Sequence, residues 1–132
     1  VKRCLCYTHL RRAFVDALPK DIHNSEASKP AEAILRLNQL FNIESELEAL
    51  PPDQKKKERL IRERPLLEAF WSWAEKSAIG ELPKSKLSKA FHYALNNREG
   101  FWNYLEDGNC SISNSLALST GYFYPHLFGK CA

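Results

Sequence analysis

PPDQKKKERLIRERPLLEAFWSWAEKSAIG, residues 51–80, contains no glycine before its last position. It is rich in Ala, Leu, Glu, Lys and Arg, which lose little conformational entropy on entering a helix. Leu60, Leu67, Phe70 or Trp71, and Ala74 recur at helical spacing, so the stretch predicts a long helix from about Pro52 to Ile79 with that line inward. Pro65 falls inside the pattern. Because proline lacks an N–H and crowds the preceding turn, it predicts a kink or short break near Arg62–Arg64. Gly80 is placed to cap the C-terminal end.

The flanking segments carry the same signature. All five glycines lie at position 80 or later, and prolines mark the candidate boundaries. Upstream, a helix is predicted from about Ser28 to Leu50, with Pro30 in its first turn, where a missing N–H costs nothing. Ile34, Leu37 and Phe41 form one apolar line; Leu40, Ile43, Leu47 and Leu50 form a second. Two adjacent lines suit a bundle helix with more than one neighbour. A first helix is expected from about Tyr7 to Leu18, with Leu10, Phe14 and Ala17 or Leu18 inward and Pro19 stopping it. Downstream, helices over about Lys84–Asn96 and Arg98–Glu106 should bury Leu87, Ala90, Phe91 and Ala94, then Phe101, Trp102 and Leu105, with Asp107-Gly108 as a turn. The three tryptophans read as core or interface anchors. RCLCY, residues 3–7, suits a short strand. The expected fold is therefore mainly α and bundle-like, with at most one or two short strands.

Length and composition narrow the class. A chain of 132 residues predicts one domain or part of one, and 44% hydrophobic with 27% charged residues is an ordinary globular composition. No run of roughly 18 apolar residues could span a membrane. The opening VKRCLCYTHLRR is too short in its apolar part for an export signal, so a cytoplasmic location and free thiols at Cys4, Cys6, Cys110 and Cys131 are expected. The absence of Met and the start at Val1 suit a piece of a longer protein. From Asn109 to Gly129 there is no Lys, Arg, Asp or Glu.

The net charge of +3 conceals two basic islands. Residues 1–12 carry Lys2, Arg3, Arg11 and Arg12 with no acid, and residues 53–64 hold six basic and three acidic side chains. Such islands hint at a polyanion partner, beside the plainer reading of a solvated helix face. Cys4, Cys6 and His9 offer three potential zinc ligands, but one residue between cysteines is fewer than zinc sites use, and no fourth ligand is evident. Phosphate-loop, GxSxG and HExxH motifs are absent. The carboxylates lie on charged helix faces or helix ends, and no set converging on two ions ~3.5–4 Å apart can be assembled.

The order of segments resembles the central-to-C-terminal part of insertion-sequence-66 family transposases. The likeness begins at Cys6-Tyr7-Thr8-His9-Leu10-Arg11-Arg12-Ala13-Phe14 and continues through Leu50-Pro51-Pro52-Asp53 and Arg64-Pro65-Leu66-Leu67-Glu68-Ala69-Phe70-Trp71. It runs on through Pro83 to Ala90, Tyr93-Ala94-Leu95-Asn96, and Leu105-Glu106-Asp107-Gly108-Asn109-Cys110-Ser111-Ile112-Ser113-Asn114. The resemblance implies that residues 1–117 are the helical insertion of an RNase-H-like core, followed by a divergent tail over 118–132. It also implies an Asp, Asp, Glu triad holding two Mg²⁺ ions in the intact family. The two aspartates are expected upstream of the Cys6 block, and the Glu position is occupied by Leu118. Because a leucine cannot ligate a hard cation, no catalytic residue, metal or cofactor is expected in this chain, and alone it should neither cut nor join DNA. Weak, non-specific DNA contact is expected through Arg11, Arg12, Lys55, Lys56, Lys57, Arg59 and Arg62. The alternative is a helical interaction or self-association module, or an inert remnant. Neither a membrane nor a small-molecule substrate is implied.

Overall fold

The computed structural model describes residues 5–21 and 28–112. Helix α1 spans Tyr7–Asp16 and α2 spans Lys29–Leu47. After a short turn, α3 (Pro52–Glu58) runs without interruption into a π-helical turn, Arg59–Glu63, and then α4, Arg64–Ser77. Helix α5 (Lys86–Asn96) is followed by α6 (Arg98–Trp102), which tightens into a 3₁₀ turn over Asn103–Glu106. The fold is mainly α, and no strand occurs among the described residues. The short strand expected in RCLCY is not formed at Leu5 and Cys6. There the extended chain is tied instead by the Leu5 N–H to the Gly100 carbonyl (3.2 Å) and the Tyr7 N–H to the Ile112 carbonyl (3.0 Å).

Local chemistry sets the helix ends. The Ser28 hydroxyl accepts the Ala31 N–H (3.3 Å), with Pro30 in the first turn of α2. The Ser85 hydroxyl accepts the Ser88 N–H at 3.0 Å, so α5 starts at Lys86 rather than Lys84. Gly80, at φ 84°, takes the left-handed conformation after α4 that other residues avoid.

Helix α1 packs on α2 and α5, while α4 lies against α2 and α5. Between them sit Leu10 and Phe14 of α1, Ile34, Leu37, Leu40 and Phe41 of α2, Leu67, Phe70, Trp71 and Ala74 of α4, and Ala90, Phe91 and Ala94 of α5. Phe101, Tyr104 and Leu105 close one end of this core, against Tyr7. The aromatic rings meet mostly edge to face; Phe14 and Phe91, for example, lie 5.4 Å apart at 72°. Trp102 and Leu87, expected inside, are half-buried at the margin.

Candidate nucleic-acid interface

Pro65 acts as the sequence suggests, but through a widened turn rather than a break. The Arg64 N–H bonds the Arg59 carbonyl, five residues back, instead of the carbonyl four back that an α-helix would use. An extra residue in one turn rotates everything upstream relative to α4. Leu60, expected in the inward line, is therefore exposed, as is Ile61, and the charged pair Arg59 and Glu63 turns inward instead.

Arg59 is only 1% exposed, and all five of its N–H donors are used. Nε and Nη2 form a fork on Glu44 of α2, at 2.9 and 2.6 Å to its two carboxylate oxygens. Nη1 donates to the Tyr104 and Asp107 carbonyls (2.9 and 3.1 Å), and Nη2 also donates to the Cys110 carbonyl (2.8 Å). The guanidinium lies over the Tyr104 ring, 4.8 Å from its centroid. One side chain thus joins the π turn to α2 and to the end of the 3₁₀ turn, with the planar five-donor geometry that lysine lacks. Gly108 permits this closure. A Cβ there would stand 1.9 Å from the Pro52 carbonyl oxygen, so the first residue of α3 touches bare backbone.

Glu63 lies one turn further on and is fully buried. Its Oε1 accepts the Tyr104 hydroxyl at 2.6 Å, whereas Oε2 has no donor. Burial, followed by its bond to Glu44 and that group's negative charge, pushes the Glu63 carboxyl up to about 10. Glu44 is also opposed by burial, but its bonds to Glu63 and Arg59 outweigh that and hold it below the ordinary carboxylate range. Desolvation drives the Tyr104 and Tyr7 hydroxyls well above their ordinary range, with the neighbouring carboxylates adding to it, so both stay neutral donors. The Tyr7 hydroxyl donates to the Phe101 carbonyl at 2.7 Å.

The seven basic residues expected to meet phosphate separate into two groups. Arg59 is a correction, since a buried guanidinium with every donor engaged has nothing to offer a phosphate. Arg11 is a second, being buried on α1 with its Nε donating to Asn38 of α2 at 2.9 Å. By contrast, Lys56 and Lys57 are exposed and Lys55 half-buried, consecutive on α3 shortly before the Arg59 joint. Arg12 is exposed on α1, and Arg62, part exposed, donates to Glu46 at 2.9 Å.

The other sequence candidates fall as follows. Cys6 is buried and His9 is exposed, so they do not converge; Cys4 lies outside the described residues. Cys110 is disulfide-bonded, which corrects the expectation of a free thiol there. Ser113–Ala117, Leu118 and the 118–132 tail also lie outside them.

A family model described as Transposase IS66 family matches residues 1–117. The chain belongs to this family. Among curated relatives, the uncharacterized protein y4hP of Sinorhizobium fredii is 27% identical over 120 residues, covering 85% of this chain and 22% of that protein. The uncharacterized protein y4qI of the same organism is 28% identical over 112 residues, covering 84% of this chain and 20% of that one. The chain therefore spans about a fifth of the length of these curated relatives. No solved structure matches it.

The Mg²⁺ ions implied for an IS66 transposase can be tested against the described residues. The carboxylates that do meet, Glu44 and Glu63, form a poor donor set for a divalent cation. Arg59 covers both oxygens of Glu44, and the Tyr104 hydroxyl donates a hydrogen bond to Glu63. A hard cation needs several unprotonated oxygens, and this pair offers a guanidinium in their place. No group of three or more His, Cys, Asp and Glu side chains is placed to hold a metal among the described residues. No helix there is long and apolar enough to cross a membrane.

Proposed function

We propose that this chain is a DNA-contacting helical segment of an IS66-family transposase and that by itself it neither cuts nor joins DNA. The observation that carries the DNA reading is the row Lys55, Lys56 and Lys57, held on a short helix whose end is anchored by Arg59. Arg12 is a further exposed cation, and Arg62 is part exposed and paired with Glu46. Lysine side chains on a fixed helix suit phosphate oxygens, which supply affinity without sequence information. The inactivity reading rests on Leu118 standing at the position where the family resemblance implies a metal-binding Glu.

Contact with about three to five phosphates gives a log–log salt slope of roughly −3 to −4.5, hence an affinity loss of about 40- to 500-fold between about 50 and 200 mM salt. Fluorescence anisotropy with a duplex of arbitrary sequence reads this directly. Combined reversal of Lys55, Lys56 and Lys57 to Glu should abolish binding. No binding at low salt, or binding indifferent to salt or to the reversal, contradicts the reading. For the chemistry, purified chain with Mg²⁺ or Mn²⁺ should give no strand-transfer product, and EDTA-sensitive product would overturn that part.

A second reading, as a packing module, has its own support. Ile61, Ile79 and Leu82 are 68%, 77% and 75% exposed, apolar surface that a partner could cover. Concentration-dependent oligomers without DNA affinity, seen by sedimentation, would favour it over DNA contact.

A further inference from the structure

The Arg59 joint holds more acid than base. One guanidinium faces two carboxyl groups, and its donors are spent on Glu44 and three backbone carbonyls. Glu63, with no exposure to water, receives one hydrogen bond, from Tyr104, and its second oxygen has none. An anion in that position would be a buried charge whose neighbouring cation, Arg59, is already engaged by Glu44, a costly arrangement. A proton resolves the conflict, because a neutral carboxyl carries no charge into that buried site and leaves the Arg59 fork to Glu44.

We propose that Glu63 is a protonated acid in the folded chain and that its proton makes the joint behind the lysine helix a pH-sensitive latch. Every element packed around Glu63 contributes to its setting. Glu44 faces it from α2, Arg59 from its own turn, Tyr104 from the 3₁₀ turn and, more distantly, Tyr7 from α1. Lys55, on α3, acts on Glu44. Arg59 favours ionisation of Glu63, but burial and Glu44 oppose it more strongly.

The direction of the pH effect follows. Glu63 is raised from 4.5 to about 10, so its contribution is complete below the ordinary carboxylate value and is lost as the pH climbs toward the raised one. Glu44 is lowered from 4.5, so its contribution is present above that value and lost only as the pH falls through its own depressed one. Over neutral and mildly alkaline pH the Glu63 proton dominates, and the fold weakens as pH rises. The latch is independent of the DNA reading: a chain without DNA affinity would show the same slope.

Urea unfolding of the full 132-residue chain over about pH 5 to 8.5 tests it, with Glu63→Gln beside the unaltered protein. The folding constant of the unaltered chain should fall toward about tenfold per pH unit in excess of the variant, because one proton is released on unfolding. Gln supplies a neutral donor and should remove that excess. Equal slopes, or an unaltered chain that gains stability with pH relative to the variant, overturn the proposal. Should Glu63→Gln fail to fold, carboxyl-labelled infrared spectroscopy of the unaltered chain decides. A protonated-acid carbonyl band at neutral pH that vanishes on alkalinisation is expected, and its absence overturns the proposal.

Discussion

Two buried regions hold this molecule together by different means. The aromatic core, built from Phe14, Phe70, Trp71, Phe91 and Phe101 with the aliphatics of α2, is held by removing apolar area from water. That force has no direction and scales with area. The joint around Arg59 is held by directed bonds, in which one guanidinium satisfies a carboxylate and three carbonyls. The first tolerates a change of shape, and the second does not tolerate a missing donor. A helix start, a π turn and a chain reversal converge on a single side chain, so the lysine-bearing helix depends on the region with less redundancy.

Substitutions can break or sharpen this contrast. The largest effect is expected from Arg59→Ala, which strands Glu44 and three carbonyls and should cost about 3–5 kcal/mol in urea unfolding. Arg59→Lys should recover less than half of that, because an ammonium cannot reproduce the fork or reach all the acceptors. Next comes Gly108→Ala, whose new methyl would overlap the Pro52 backbone; about 1–3 kcal/mol is expected, with α3 displaced. The smallest loss belongs to Leu37→Met in the aromatic half, below about 1.5 kcal/mol, since a volume-conserving swap keeps the buried area. If Leu37→Met proved as damaging as Arg59→Lys, the two regions would not differ in the way described.

The same contrast explains what the sequence could and could not reveal. Helical periodicity located Leu10, Phe14, Ile34, Leu37, Phe41, Leu67, Phe91 and Phe101 in the core, because area burial repeats every three to four residues and leaves a readable trace. Ser28 and Pro30 marked the start of α2 through chemistry confined to one turn. Around residues 59–63 the trace misleads. A single widened turn moves Leu60 outward and draws Arg59 and Glu63 inward, an exchange that a pattern read at constant pitch reverses. Pro65 was the available signal: it placed the irregularity correctly, but one letter does not say whether the chain will break or widen. The Glu44 partner, fifteen residues away, and the Tyr104, Asp107 and Cys110 carbonyls are brought to Arg59 by tertiary packing alone. For the candidate interface, the lysine run was legible by composition, whereas separating its cations from the buried arginines required the fold.

The proposed division makes Arg59 a structural cation and Lys55, Lys56 and Lys57 the ones that meet DNA. It is tested most directly by following Arg59 Nε–H and the Lys55, Lys56 and Lys57 side chains by nuclear magnetic resonance during titration with duplex DNA at low salt. Shifted lysine signals and an Arg59 Nε–H that stays slow to exchange and unmoved are expected. A shifting, solvent-exchanging Arg59 with silent lysines would contradict it.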